Sequence, residues 1–159
     1  MEIGVNRLCA MQQVGGSAMK VLYTAHGSAS GGGREGSAST NDGVVDVKLT
    51  TPKELGGAGA AGTNPEQLFS VGYAACFLGA MRFVGTRDKI EVPADARVEA
   101  AVGIGPRDDG AGFGITAALT VHLPGLPRDV AEDLVGRADI VCPYSHAVKG
   151  NIEKTVTVA

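Results

Sequence analysis

One segment of the chain, residues 65–85, constrains the fold more than any other feature. Its start is typical of a helix, because Thr63 or Asn64 can cap the first turn and Pro65 suits the first helical position. The apolar residues of the segment are Leu68, Phe69, Val71, Tyr73, Ala74, Ala75, Cys76, Phe77, Leu78, Ala80, Met81, Phe83 and Val84. They leave almost no polar face, and a helix that is apolar on every side is buried on every side. Since a chain of 159 residues has little bulk to surround such a helix, we expect a second copy of the chain to cover part of it.

Strand patterns flank this helix in both directions. Short alternating stretches and two glycine-rich loops precede it, and a long alternating hairpin, a helix from Pro127, a helical turn from Pro143 and a last strand follow it. The predicted strands are 20–25, 37–40, 44–49, 95–104, 113–123 and 152–158, and the loops are 28–33 and 56–63. Because strands and helices do not alternate regularly, the sequence predicts an α+β fold, with antiparallel sheets and a long buried central helix.

The regular pattern begins at Met19. We therefore expect one domain over residues 19–159, preceded by an N-terminal extension, residues 1–18, that is disordered and carries Cys9 as an exposed thiol. The net charge of −3 argues against a nucleic-acid partner. The sequence has no run of 18 consecutive apolar residues, and residues 1–18 lack the apolar segment of a signal peptide. These features predict a cytoplasmic protein with no nucleic-acid or membrane partner.

Two short motifs suggest chemistry but lie in the wrong context. Gly57, Gly59 and Gly62 match the letters of a dinucleotide fingerprint, yet no buried strand ends at the first glycine and no βαβ unit follows. The Cys-Pro-Tyr-Ser sequence at 142–145 looks like the active-site turn of a monothiol glutaredoxin, where a helix start lowers the pKa of the thiol. A thioredoxin-like turn is followed by a substantial α/β domain, whereas 14 residues follow Ser145 here. Neither motif therefore predicts a function by itself.

Three further residues are candidates for a reactive site. Cys76 lies deep in the apolar helix, where burial alone would leave the thiol inert, so a nucleophilic role requires a nearby cation. Arg34, beside a run of three glycines, is the candidate cation, and Glu66 lies in the first turn of the helix. Taken singly, each has an ordinary structural explanation: a small buried hydrophobic residue, a solvated loop arginine, and a carboxylate that interacts with the helix dipole.

Taken together, the segments around these residues carry a family resemblance. The segments are Asn-Pro-Glu-Gln-Leu-Phe at 64–69, Gly-Tyr-Ala-Ala-Cys-Phe at 72–77, Val-Cys-Pro-Tyr-Ser at 141–145, Gly-Gly-Arg-Glu-Gly at 32–36 and the run 49–55. From Met19 onward the chain resembles the organic hydroperoxide resistance proteins of the osmotically inducible protein C (OsmC) superfamily, over about 140 of its 159 residues. The extension 1–18 departs from the usual length of that family.

The resemblance implies a thiol peroxidase that protects against oxidative stress. It assigns Cys76 as the peroxidatic residue and Cys142 as the resolving residue, with Arg34 holding Cys76 as thiolate and Glu66 holding Arg34. Cys76 would become a sulfenic acid and then condense with Cys142 to a disulfide. An external dithiol would reduce that disulfide by exchange, and the resemblance implies the lipoyl group of a lipoylated protein. The chemistry calls for neither a metal nor another cofactor.

The spacing of the candidates along the helix adds a geometric inference. Glu66 and Cys76 are ten residues apart, which is about 15 Å on a straight helix. If both line one compact site, either the helix breaks or Glu66 comes from the helix of a partner. The all-round apolarity of the helix favours a partner, so we predict an intertwined homodimer with two active sites at the subunit interface.

Two other functions remain open at this level. A dimer with an apolar core and pockets could bind hydrophobic ligands or sense oxidation without turnover, and a disulfide reductase could use Cys142 alone. The peroxidase interpretation expects apolar walls near Cys76, from residues such as Phe69 and Phe77, that favour organic hydroperoxides over hydrogen peroxide.

Overall fold

The computed structural model of the chain describes residues 19–159. Its N-terminal part is a small antiparallel sheet in which the strands pair in the order of the sequence. These strands are β1 (Gly27–Ser30), β2 (Ser37–Thr40) and β3 (Asp46–Lys48). A short 3-10 turn, Lys53–Leu55, then leads to the long helix α1 (Pro65–Asp88).

The C-terminal part is a second sheet with two helices. A hairpin pairs β4 with β5 antiparallel over ten residue pairs, and the last strand, β6, pairs parallel with β5. The elements of this part are β4 (Arg97–Pro106), β5 (Phe113–His122), α2 (Arg128–Val141), α3 (Pro143–Val148) and β6 (Lys154–Val158). The fold is therefore α+β with a long central helix, as the sequence predicts, and its two three-stranded sheets are antiparallel except for the β5–β6 pair.

The helix α1 begins where the sequence places it. The side chain of Asn64 accepts a hydrogen bond of 2.9 Å from the backbone N–H of Gln67, and Pro65 occupies the first position, where a missing N–H costs nothing. The helix ends at Lys89, which adopts the left-handed conformation with φ 57° and donates its N–H to Gly85. The helix is thus continuous for 24 residues, three residues beyond its predicted end.

The core of the domain lies between α1, the second sheet and α2. By length and composition α1 could cross a membrane, with a mean hydropathy of 1.5, but core helices pass the same test. Here one side of α1 packs on β4 and on α2. The largest fully buried side chains are Tyr73, Phe77, Met81, Val84, Leu119, Val121, Leu134, Cys142 and Ser145. The apolarity of α1 on that side is therefore explained by its position in the core.

One predicted strand is wrong. Residues 20–25 form no strand; Leu22 and Tyr23 are more than 80% exposed, and the first strand begins at Gly27 instead. The difference is due to strand pairing. β1 pairs with β2, whereas residues 20–25 have no strand to pair with among residues 19–159. On α1, Val71 is 65% and Phe83 60% exposed within one chain, which leaves one side of the helix free for the second copy that the sequence predicts.

Candidate active site

Two cysteines far apart in sequence meet beside the core. The Sγ atoms of Cys76 and Cys142 lie 3.7 Å apart, although 66 positions separate the residues. Both are free thiols; Cys142 is buried and Cys76 is half-buried. A disulfide needs a sulfur–sulfur distance of about 2.05 Å, so a small movement of either side chain would join them. The structure therefore brings together the two cysteines that the family resemblance assigns to one reaction.

The position of Cys142 follows from a break between two helices. The residue ends α2, where its N–H bonds to the carbonyl of Ala138, and it is also the residue before Pro143, the first of α3. Since proline disfavours the helical conformation in the residue before it, Cys142 is extended, with φ −65° and ψ 121°, and the chain turns there. Both α2 and α3 contact α1, and this turn places the Cys142 thiol against Cys76.

The surroundings of Cys76 within the chain favour the protonated thiol. Burial raises the pKa of Cys76, the backbone N–H of Tyr144 lowers it, and the neighbouring Cys142 thiol raises it again. Among residues 19–159, no cation contributes to the pKa of Cys76. A thiolate at this position therefore needs positive charge from elsewhere.

The predicted cation forms a different pair. Arg34 donates two hydrogen bonds to Glu66, of 2.6 and 2.8 Å, in a bidentate ion pair. The hydrogen bonds from Arg34 lower the pKa of Glu66, and those to Glu66 raise the pKa of Arg34. The Glu66 side chain is 13% exposed, which leaves the carboxylate well shielded from solvent. Arg34 and Glu66 therefore pair within one chain.

Backbone contacts hold the Arg34 loop against the start of α1. Leu49 donates to the carbonyl of Gly36, and the backbone of Thr63 bonds to that of Lys48 and Thr50. Gly36 also lets the loop close on itself, because a Cβ at that position would lie 1.8 Å from the carbonyl oxygen of Ser30. Arg34 and Glu66 together border a groove of about 520 Å³. Its other lining residues are Ile104, Arg107, Phe113, Gly114, Ile115, Asn151 and Ile152.

The four predicted site residues thus form two separate pairs within one chain. Glu66 lies in the first turn of α1 and Cys76 ten residues later, about 15 Å along the axis. Because α1 is continuous over this span, a break in the helix does not bring the pairs together. Within residues 19–159, the cysteine pair therefore has no cation beside it, and the Arg34–Glu66 pair has no cysteine beside it.

Most of the described chain is similar in sequence to known proteins. The sequence model of the OsmC-like protein family matches residues 56–157. An organic hydroperoxide resistance protein of Xanthomonas axonopodis is 52% identical over 140 residues, which cover 88% of this chain and 96% of the relative. The chain belongs to the OsmC-like family. An uncharacterised protein of Acinetobacter baylyi is 59% identical over 134 residues, 84% of this chain and 91% of that protein.

Solved structures of the OsmC-like family share the fold. The crystal structure of an organic hydroperoxide resistance protein from Elizabethkingia anophelis superposes with a TM-score of 0.83 at 43% identity, covering 89% of this chain and 99% of that one. The α+β architecture with its two small sheets and long helix is therefore that of the organic hydroperoxide resistance branch.

Three features of this OsmC-like site escaped the sequence analysis. The backbone of Tyr144 lowers the pKa of Cys76. The ring of Tyr144 packs against Phe69 and Tyr73, with centroids 5.7 Å apart in both cases. Tyr73 and Ser145 share a buried hydrogen bond of 2.8 Å. The sequence spacing could have indicated the Tyr73–Ser145 contact, because Tyr73 precedes Cys76 by three residues and Ser145 follows Cys142 by three.

One predicted wall of the site is wrong. Phe77 is fully buried in the core, so its ring cannot line an opening to Cys76. Adjacent residues on a helix point in directions about 100° apart, which turns Phe77 toward the second sheet while Cys76 stays half-buried. Phe69 is half-buried, and its ring packs against the buried Tyr73 and the exposed Tyr144.

Proposed function

We propose that this protein is a thiol peroxidase that reduces organic hydroperoxides to alcohols and so protects the cell against oxidative stress. The single observation that carries the proposal is the 3.7 Å approach of the Cys76 and Cys142 sulfurs. Relatives that are 52% identical bear the name organic hydroperoxide resistance protein, which supports a role in peroxide detoxification.

In the first step Cys76 is the nucleophile. Its thiolate attacks the outer oxygen of R–O–O–H, the O–O bond breaks, and the leaving alkoxide takes a proton to become the alcohol. Cys76 is oxidised to the sulfenic acid as the hydroperoxide is reduced. Cys76 is half-buried and so remains open to a substrate, while the N–H of Tyr144 stabilises the thiolate.

In the second step Cys142 resolves the sulfenic acid. The Cys142 sulfur attacks the Cys76 sulfur, the S–O bond breaks, and hydroxide leaves with a proton as water. The product is a disulfide between two residues that already lie in contact. Burial of Cys142 keeps its thiol away from solvent and external oxidants until this step.

We further propose that a second copy of the chain completes each site. Among the residues that the structure describes, no cation of the same chain acts on the cysteine pair, and the Arg34–Glu66 pair lies about 15 Å away along α1. One side of α1 also stays uncovered, with Val71, Ala75, Gly79 and Phe83 exposed. In a homodimer packed through this side, Arg34 of one copy would stabilise the Cys76 thiolate of the other.

The reductant in this proposal is a dithiol, and the family resemblance favours lipoyl groups on a lipoylated protein. A dithiol suits the reaction, because attack on one sulfur gives a mixed disulfide that its second thiol resolves. The cytoplasm is the expected compartment, since its thiol pools keep Cys76 and Cys142 reduced between turnovers. No resident cofactor or metal enters either step.

A single-turnover thiol count tests the proposed function. Cys9 lies outside the described residues, so we would work in a Cys9→Ser background that leaves two thiols. One equivalent of cumene hydroperoxide should remove both thiols and release one equivalent of alcohol. The Cys76→Ser variant should lose no thiol, and Cys142→Ser should lose one.

Other outcomes favour the other functions. If the reduced protein retains both thiols but binds a fatty acid, it is a ligand carrier or sensor and not a peroxidase. If Cys76→Ser still reduces a disulfide substrate, Cys142 alone carries the chemistry and the protein is a disulfide reductase.

A further inference from the structure

A buried hydrogen bond lies one helical turn from the two sulfurs and takes no part in either step of the proposed reaction. The hydroxyls of Tyr73 and Ser145 are 2.8 Å apart, and both residues are almost completely inaccessible to solvent. A buried hydroxyl without a partner is costly, so each of these groups depends on the other. Burial is the main cause that raises the pKa of Tyr73, so the phenol keeps its proton and can still donate.

The hydrogen bond and the sulfur pair form a matched set of contacts between α1 and the start of α3. On α1, Tyr73 and Cys76 are three residues apart and lie on one face. On the other side, Cys142 and Ser145 are also three residues apart. Tyr73 meets Ser145 and Cys76 meets Cys142. Two contacts, one turn apart on each element, fix both the spacing and the rotation of α3 against α1.

The neighbouring rings strengthen this arrangement. Tyr73 packs edge-on against Phe69 at 5.8 Å and tilted against Tyr144 at 5.7 Å, so its ring is held from two sides. Gly72 leaves room for Tyr144, because a Cβ there would lie 3.2 Å from the Tyr144 hydroxyl oxygen. The Tyr73 hydroxyl therefore points at Ser145 from a rigid support.

We propose that the Tyr73–Ser145 hydrogen bond is a positioning device for the resolving step, which holds Cys142 within reach of the Cys76 sulfenic acid. This inference deepens the proposed peroxidase function and rests on it. Tyr73 and Ser145 touch no reacting atom in this scheme. They act by keeping the first turn of α3 in the register that places Cys142 against Cys76.

The chemical consequence is a competition for the sulfenic acid. With Cys142 in place, its sulfur displaces hydroxide, which leaves as water, and a disulfide forms. With Cys142 displaced, a second hydroperoxide oxidises the sulfenic acid to the sulfinic acid and is itself reduced to alcohol, which inactivates Cys76. Loss of the hydrogen bond should therefore shift the product of Cys76 from disulfide to sulfinic acid.

The variants Tyr73→Phe, Ser145→Ala and the double variant test this proposal. Tyr73→Phe keeps the ring and its packing, and the double variant leaves no hydroxyl unpaired. In a Cys9→Ser background, we would add ten equivalents of cumene hydroperoxide and measure disulfide and sulfinic acid by mass spectrometry. We expect disulfide formation to slow about 3- to 10-fold, with a corresponding rise in sulfinic acid at Cys76.

The matched control is Val84→Ala, a cavity variant at a fully buried position of α1 more than two turns beyond Cys76. The substitution lowers stability at a position well away from Cys76 along α1, so its disulfide yield should equal that of the parent. The proposal would be overturned if all three hydroxyl variants gave the same ratio of disulfide to sulfinic acid as the parent. It would also be overturned if sulfinic acid rose as much in Val84→Ala as in the hydroxyl variants.

A second oxidant separates this proposal from the peroxidase function. Diamide oxidises two thiols to a disulfide and is itself reduced to the hydrazine, so it reports the approach of Cys142 to Cys76 without any hydroperoxide. If the parent consumes no hydroperoxide, the peroxidase function fails, yet slower diamide-driven disulfide formation in the variants still supports the positioning role. Equal diamide rates in parent and variants contradict that role.

Discussion

At the scale of single residues, the Arg34–Glu66 ion pair makes the stability of the fold depend on pH. The bidentate geometry favours the charged form of Glu66 and lowers its pKa in the folded chain. The stability that this pair contributes is therefore present above the pKa of Glu66 in the unfolded chain, about 4.3, and is lost as the pH falls through the lower folded value. Part of the Arg34 side chain remains exposed, 37% of it, so solvent screening keeps the contribution modest.

The first prediction at this scale concerns Glu66→Gln. We expect the variant to lose about 1 kcal/mol of unfolding free energy at pH 7, because a partly screened bidentate pair is removed. The difference from the parent should shrink as the pH falls below about 4.3. Urea denaturation at a series of pH values measures both quantities. Glu132→Gln is the control, since its pair with Arg128 is exposed on both sides and should change stability little; a constant deficit at all pH values would contradict the assignment.

The sequence predicted part of this site at the level of residues. The resemblance named Cys76, Cys142, Arg34 and Glu66, and the structure places each next to one implied neighbour. The role of Tyr73 was not predicted. In an all-apolar helix, a tyrosine looks like an ordinary core residue until the hydrogen-bond partner of its hydroxyl is known. The contact with Ser145 spans 72 positions and follows from the fold alone.

At the scale of elements, the N-terminus of α1 carries both the cap and the site carboxylate. The Asn64 side chain satisfies the N–H of Gln67, and Glu66 lies between these residues in the first turn. We predict that Asn64→Ala lowers the unfolding free energy by about 1 kcal/mol, whereas Asn64→Ser retains most of it, because serine can accept the same hydrogen bond. Urea denaturation of both variants provides the test, and equal unfolding free energies for the two variants would contradict the capping role of Asn64.

The elements were predictable where periodicity was strong. The helix start at Pro65, the β4–β5 hairpin, both later helices and the last strand follow from alternation, prolines and apolar spacing. The strand expected at residues 20–25 was wrong, and β1 lies instead in a Gly-Ser-Ala-Ser stretch that resembles a loop. Strand pairing decides such a case, and β1 is stabilised by its register with β2 and not by an apolar face.

At the scale of the whole molecule, the two halves of the site and the uncovered side of α1 have one common explanation. The sequence predicted a helix covered on every side, and the chain alone covers one side of it. What the sequence could not supply is how two copies of the chain sit relative to each other, since that depends on surfaces that exist after folding. A homodimer would cover the exposed side of α1 and bring a cation to each cysteine pair.

The central claim is that the Cys76–Cys142 pair of one subunit works with the Arg34–Glu66 pair of the other. Co-expression of an Arg34→Ala chain and a Cys76→Ser chain, each with its own tag, gives heterodimers that two affinity steps isolate. Each heterodimer contains one site with Cys76 from the first chain and Arg34 from the second, and one site that lacks both. The Arg34→Ala and Cys76→Ser homodimers provide the controls and should be nearly inactive with cumene hydroperoxide.

The peroxidase rate of the purified heterodimer decides the matter. The shared-site arrangement predicts about half the activity of the parent dimer, because one of its two sites is intact. A heterodimer no more active than the two variant homodimers would show that Arg34 acts on Cys76 of its own chain, and would contradict the account.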